Sequence, residues 1–133
     1  MLGGEEMNLL QIMKALGDET RLRILNLLNN GELCVCELEH LLDINQSNAS
    51  RHLNKLTVAN LIMFEKRALY VYYSINKELY DEFPLLTEFL NKELNKLKKC
   101  QSDLERLIIY KASGISCEEL KESKICFNNN KED

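Results

Sequence analysis

No stretch of 18 apolar residues runs through this chain, which argues against a membrane-spanning helix. The amino terminus, Met1-Leu-Gly-Gly-Glu-Glu, is acidic and precedes no apolar core of the signal-peptide kind, so a soluble, cytoplasmic protein is expected. Proline occurs once and glycine five times; with 45% hydrophobic content in 133 residues, that sparseness fits one compact domain without a flexible linker. Also absent are a Gly-rich phosphate loop, a nucleophile elbow and any catalytic pairing of the two histidines, His40 and His52. These absences argue against an enzyme.

Positive charge is scarce overall, since the formal net charge is -4, which speaks against a wholesale basic nucleic-acid binder. Its distribution matters more than its sum. Between Asp43 and Lys77 stand five positive residues (Arg51, Lys55, Lys66, Arg67 and Lys77) and two negative ones (Asp43 and Glu65). A local basic segment in an acidic chain suits directed phosphate contact while the rest weakens nonspecific adhesion; a solvated face of mixed charge would give similar counts. Five cysteines is an odd number in a chain without a secretory signal, so reduced thiols are expected in place of a disulfide framework.

Periodicity predicts two scaffold helices first. Leu9 or Leu10, Met13 and Leu16 precede a stop at Gly17; Asp18 then caps a run carrying Leu22, Leu25 and Leu28, which ends at Asn29-Asn30-Gly31. A short helix from about Val35 to Leu42 presents Leu38, Leu41 and Leu42. After the polar break Asp43-Ile44-Asn45-Gln46, Ser47 is expected to cap a further helix with Ala49, Leu53 and Leu56 inward. Short helix, tight connection and second helix make a helix-turn-helix. From Leu61 to Ile75, β-branched and aromatic residues flank Lys66-Arg67-Ala68-Leu69 and read as a hairpin, although its loop lacks the Gly or Asn of tight turns. After Pro84 one long helix is expected, with Leu90, Leu94, Leu97, Gln101, Leu104 and Ile108 on a heptad seam that a second subunit would cover; packing on the chain's own core is the alternative. Gly114 should end it, a turn or two lies within Ser116 to Glu122, and Asn128 to Asp133 reads as disordered.

The expected solvent side of the second helix of the pair holds Gln46, Ser47, Asn48, Ser50, Arg51, His52, Asn54 and Lys55, a set of donors without carboxylates. Asn and Gln suit adenine edges, Arg suits guanine, and Ser or a helix N-terminus suits phosphate. The plainer reading is an exposed polar face. At the hairpin tip, Lys66 and Arg67 are placed to reach a neighbouring backbone or minor groove, while Tyr70, Tyr72 and Tyr73 more simply pack.

Cys34 and Cys36 form the chemically most specific pair. Thiolates favour soft, thiophilic ions, and no histidine lies nearby to suggest an imidazole-rich site. On a regular helix the two would sit about 200° apart, so one ion holds both only if the helix start unwinds or Cys34 already lies outside it. Glu32, Glu37 and Glu39 disfavour thiolates, the helix N-terminus partly offsets this, and proton release must accompany binding. The alternative is two small apolar residues lining a core. Cys100, Cys117 and Cys126 are each a possible third ligand, an oxidation site or a plain thiol.

Taken together, Leu16-Gly-Asp-Glu-Thr-Arg-Leu-Arg-Ile-Leu, Glu32-Leu-Cys-Val-Cys-Glu-Leu, Gln46-Ser-Asn-Ala-Ser-Arg-His-Leu and Tyr70-Val-Tyr-Tyr-Ser-Ile resemble the ArsR/SmtB family of winged-helix metalloregulatory repressors, in particular its arsenical-sensing branch. The similarity covers about residues 7 to 76. It implies a homodimer that binds double-stranded operator DNA of a resistance operon and releases it when trivalent arsenic or antimony binds. Carried across, Cys34 and Cys36 match two thiol ligands, and Ser47 to Lys55 match the recognition helix. Glu39 stands where that branch often has its third cysteine, which leaves Cys100, Cys117, Cys126 or an external thiol for the third position. Asn60 and Arg67-Ala68 replace the glycines usual before the wing and at its tip. The amino-terminal cysteines and terminal-helix histidines of the cadmium/lead and zinc variants are missing.

The expectation is therefore a mainly α protein with a small β-hairpin wing: a winged helix-turn-helix dimerising through its terminal helices, with a DNA-binding and dimerisation domain over residues 1–113 and a partly disordered tail over 114–133. Its function would be metalloid-responsive repression, with no constitutive cofactor. A thiol-redox regulator of the same fold is the first alternative, and a thiol protein that binds no DNA the second.

Overall fold

The computed structural model describes residues 2–115, 119 and 120, with side chains from residue 8 onward. Among the described residues up to Ser113, seven helices and three strands follow one another: α1 (Leu2–Leu16), α2 (Glu19–Leu28), β1 (Leu33–Cys34), α3 (Val35–Leu42), α4 (Gln46–Val58), β2 (Ile62–Arg67), β3 (Tyr70–Ile75), α5 (Lys77–Glu82), α6 (Pro84–Lys92), a 3-10 turn (Leu94–Lys96) and α7 (Lys98–Ser113). Among the described residues no helix is long and apolar enough to cross a membrane.

The two scaffold helices form where the periodicity puts them, with one change of face. Asp18 caps α2 by accepting from the Arg21 amide at 3.0 Å, and Ile24, Leu25, Leu27 and Leu28 enter the core. On α1 the inward side is Ile12 and Ala15, with Leu16 at its edge; Leu9, Leu10 and Met13 are exposed. A surface of that kind on a terminal helix is available to another molecule.

A short strand that alternation cannot reveal precedes the helix pair. Leu33 and Cys34 pair antiparallel with Tyr73 and Tyr72, so the hairpin is part of a three-stranded sheet ordered β1-β3-β2. Two residues are too few for a period of two to register. Helix α3 starts directly from this strand and stops at Asp43, which adopts a left-handed backbone (φ 54°). Asn45, one position before the helix, caps α4 through its side chain, accepting from the Asn48 amide at 2.9 Å; Ser47, expected as the cap, lies inside the first turn. Both residues have capping side chains, and the earlier one takes the role because its backbone is still extended. Ala49, Leu53 and Leu56 of α4 are buried as expected.

Strands β2 and β3 run in register from Ile62 opposite Ile75 to Arg67 opposite Tyr70. Lys66 and Arg67 are therefore paired strand residues, and the turn contracts to Ala68-Leu69. Asn60 (φ 62°) and Ala68 (φ 56°) take left-handed conformations, the first easily and the second at a cost of about 1 kcal/mol for its Cβ.

The single long helix expected after Pro84 is broken. Leu97 is extended (φ -81°, ψ 123°), separating α6 and the 3-10 turn from α7. The heptad seam breaks with it: Leu90 and Leu94 are buried in the chain's own core, Gln101 is exposed and donates to the Asn95 carbonyl, and Ile108 is 68% exposed. Folding back buries those leucines within one subunit, so packing overrides the period. Helix α7 ends at Gly114 in the left-handed region (φ 73°). The segment Ser116 to Glu122 and the tail Asn128 to Asp133 lie, except for residues 119 and 120, outside the described residues.

Helix α7 is fastened to α2 by a two-pronged ion pair. Arg23 donates through Nε and Nη2 to the two carboxylate oxygens of Asp103, both at 2.8 Å, and Asp103 is 1% exposed. Asn26 adds a buried hydrogen bond to the Cys100 carbonyl at 3.1 Å. Either partner of such a pair, left alone, would be an uncompensated buried charge, so α7 is held to the body in one register.

Candidate nucleic-acid interface and thiol site

Helix α4 presents Gln46, Ser47, Asn48, Ser50, Arg51, Asn54 and Lys55 to solvent. Their spacing gathers most of them along one stripe, with α3, α2 and α1 behind the opposite side. Arg51 Nη2 donates to the Asn48 side-chain oxygen Oδ1 at 3.2 Å, which links two of the donors within this face.

His52 departs from the expectation. It is 5% exposed and points back into the fold, so it belongs to the support of α4 and not to its solvent side. Its Nδ1 lies 3.2 Å from Arg21 Nη1 and 3.6 Å from Asp18 Oδ2, while Nε2 lies 3.4 Å from Arg51 Nη2. A guanidinium only donates, and a neutral imidazole has one accepting nitrogen. One of the two arginines can therefore donate to the neutral ring, and the tautomer decides which. Arg21 in turn donates to the Ala15 carbonyl at 2.6 Å and the Lys14 carbonyl at 3.2 Å, so this cluster joins α1, α2 and α4. Burial, aided by the nearby Arg51, Arg21 and Lys55 cations and opposed by Asp18, pushes the His52 imidazole below its ordinary 6.5. The exposed-face expectation failed because residue polarity on a helical period does not register a polar core residue that has partners.

At the other end of the interface, Lys66 is exposed and Arg67 is tethered. Arg67 Nη2 donates to Glu32 Oε2 at 2.6 Å, its Nε lies 3.1 Å from Glu65 Oε1, and its guanidinium carbon sits 3.9 Å over the Tyr72 ring. These are surface contacts of small individual strength, and they orient the guanidinium beside the turn of the wing. Tyr73 packs against the core and tilts against Phe64, in keeping with packing for that tyrosine.

Cys34 and Cys36 lie where β1 becomes α3. Cys34 is the last residue of the strand and the N-cap of the helix, with extended backbone (φ -84°, ψ 166°), and Cys36 sits in the first turn. The opposed placement of two residues within one regular helix therefore does not arise, because Cys34 stands outside it. The two side chains are 0% and 9% exposed. Glu37, three residues after the cap, returns a carboxylate oxygen to the Cys34 amide at 3.0 Å. Its other oxygen accepts the Tyr110 hydroxyl of α7 at 2.5 Å, in a buried contact. By sequence Glu37 was read only as a charge that disfavours the thiolates, and Tyr110 was not singled out; a carboxylate three positions beyond a cap was the available signal.

Among the described residues no group of three His, Cys, Asp or Glu side chains is arranged to hold a metal ion. Glu39, in the position of a third thiol, is buried in α3. Cys100 is a core thiol with its side chain fully buried, and burial pushes it up to about 11. Cys117 and Cys126 lie outside the described residues. The expectation of reduced thiols throughout is corrected at one position: Cys34 is disulfide-bonded, while Cys36 and Cys100 are thiols.

A polar helix face standing free on a two-helix unit, with a three-stranded sheet whose β2–β3 hairpin forms the wing, defines a winged helix-turn-helix fold. Residues 18–63 match the family model described as bacterial regulatory protein, arsR family. The chain is 32% identical to the arsenical resistance operon repressor of Escherichia coli over 109 residues, covering 81% of this chain and 87% of that protein. It is 42% identical over 69 residues to the arsenic resistance transcriptional regulator ArsR1 of Pseudomonas putida, which is 51% of this chain and 54% of that one. In three dimensions it is similar to the homodimeric winged helix-turn-helix DNA-binding domain of Mb0332 from Mycobacterium bovis, with 25% identity and a TM-score of 0.59 over 72% of this chain and 90% of that domain. The chain belongs to the ArsR family, on the side of its arsenical resistance repressors, a family of DNA-binding regulators and not of enzymes.

The buried imidazole carries a pH signature. A histidine depressed below 6.5 in the folded state is protonated first in the unfolded chain, so its contribution is complete above about pH 6.5 and is lost as pH falls below it. Chemical denaturation between pH 7.5 and 5 should show stability declining with acid, and His52→Gln should flatten that decline; an unchanged slope would show that His52 does not carry it.

Proposed function

We propose that the protein is a dimeric repressor that holds operator DNA through α4 and the wing and lets go when, after a thiol reductant has opened the Cys34 disulfide by exchange, trivalent arsenic or antimony is captured by the Cys34 and Cys36 thiols. The observation that carries this reading is the position of Cys34, which ends a strand of the wing sheet and begins the first helix of the DNA-reading pair. Both sulfurs are buried, so a bound metalloid has to open this junction to reach them. Opening it strains the Cys34–Tyr72 pairing on one side and the α3–α4 packing on the other. Each 1.4 kcal/mol by which the loaded form disfavours the docked shape weakens operator binding tenfold.

On this reading Gln46, Ser47, Asn48, Ser50, Arg51 and Lys55 enter the major groove while Lys66 and Arg67 meet the flanking backbone. His52 buttresses the helix from behind. The exposed apolar side chains of α1 (Leu9, Leu10, Met13) and α7 (Ile108, Ile109) suit a second copy of the chain, which sets two recognition helices at a fixed spacing. Cys100 is a poor third ligand, since capture there would deprotonate a thiol that burial holds neutral. That leaves Cys117, Cys126 or an external thiol to complete a three-sulfur site.

The Cys34 disulfide favours a second reading, in which the signal is oxidation. Two thiols would then lose two protons and two electrons to a hydroperoxide, which is reduced to water and the corresponding alcohol. Titration of the operator complex separates the two: under reducing conditions arsenite releases DNA in the first reading and has no effect in the second.

Cys34→Ser should bind operator as the parent does and retain it at arsenite concentrations that release the parent; normal release would remove Cys34 from the site. Arg51→Ala should weaken operator binding by about 1–3 kcal/mol in a gel-shift titration if its guanidinium meets a base. Unchanged affinity would place Arg51 outside the interface.

A further inference from the structure

The thiol motif and the last helix are joined by one continuous buried polar path. Cys34 donates its amide to Glu37 Oε1 at 3.0 Å, and Tyr110 of α7 donates its hydroxyl to Glu37 Oε2 at 2.5 Å. Glu37 and Tyr110 are both buried, so neither can exchange this partner for water. Burial, with the carboxylate it faces, pushes the Tyr110 phenol far above its ordinary range, which keeps it a donor at any physiological pH. Two further contacts bind the same pair of helices: the His40 ring lies 5.8 Å from that of Tyr110, and Arg106 donates to the His40 carbonyl at 3.0 Å. Near its carboxyl end α7 carries the exposed Ile108 and Ile109.

We infer that Glu37 and Tyr110 form the relay through which capture at Cys34 is felt by α7, and through α7 by the second subunit. The inference rests on the reading of Cys34 and Cys36 as the inducer site. A carboxylate with one oxygen on the cap amide and the other on the α7 hydroxyl cannot follow a displaced Cys34 and keep both bonds. Either the Cys34 bond breaks, which leaves a buried amide unpaired, or the carboxylate swings and pulls Tyr110 with it. The ion pair of Arg23 with Asp103 holds α7 one to two turns earlier, so the pull tilts the helix about that point and shifts its carboxyl end most. A tilt there changes the angle between the two recognition helices and so their fit to successive grooves. Glu37 and Tyr110 are positioning residues in this scheme, because neither touches inducer or DNA.

The readout is the ratio of operator Kd with and without saturating arsenite, measured on the full chain alongside arsenite affinity in the absence of DNA. Tyr110→Phe fills the same space without the hydroxyl, and Glu37→Gln keeps an acceptor for the Cys34 amide without the charge. Each should reduce the ratio at least tenfold with arsenite affinity of the free protein within a few-fold of the parent, and the double variant should lose no more than either alone. A merely structural role would lower stability and leave the ratio in place. If the parent releases DNA and both variants release it equally well, or if their losses add independently, the relay is overturned while the inducer site stands. If the loaded parent keeps its operator, the inducer reading falls and takes the relay with it.

Discussion

Cys34 occupies the point where a strand becomes a helix, and the arrangement around it depends on that dual membership. Its backbone pairs with Tyr72 in the wing sheet, its amide is held by Glu37, and its extended conformation starts α3. A residue so placed cannot move alone. Strand, helix and wing share it, and the packing of α3 on α4 brings the recognition surface into the same unit. The surrounding interior is close-packed, with Leu33, Leu38, Leu41, Leu53, Leu56 and Leu61 all essentially without exposure, so displacement at the junction passes on in discrete steps and is not absorbed locally.

The same economy governs how α4 is presented. Its donors stand free because the opposite side is fastened by apolar contacts and by the Arg21–His52 pair, which ties the helix to α1 and α2 through the Ala15 and Lys14 carbonyls in the last turn of α1. At the wing, Glu32 follows the same logic from the strand side. It precedes β1 directly and holds Arg67, so the carboxylate that restrains the wing's basic side chain stands two residues before Cys34 along the chain. Positive charge in this acidic protein is therefore positioned by its own carboxylates, which restrain it without neutralising the donor face of α4.

Much of this was legible in the sequence wherever a period of 3.6 or a cap residue governs: α2 with its Asp18 cap, α3, the inward side of α4 and the left-handed Gly114. What was not legible has a common cause in tertiary partners. The strand β1 is two residues long and exists because Tyr72 and Tyr73 are there to pair with it. His52 looks like a surface donor until Arg21 and Asp18 arrive beside it from thirty residues away. The heptad after Pro84 reads as an intersubunit seam, yet the chain bends at Leu97 and spends Leu90 and Leu94 on its own core. The Glu37–Tyr110 contact spans 73 positions and leaves no local trace beyond a carboxylate three residues after a cap.

The central claim is that inducer capture opens the junction between β1 and α3. Amide hydrogen exchange on the operator-free protein, with and without arsenite, tests it directly. Loading should speed exchange at Cys34 to Leu38 and in β3 around Tyr72 while α2 and the inner side of α4 stay protected. Unchanged protection at Cys34 and Tyr72 in protein that has bound arsenite and lost its operator would contradict the account.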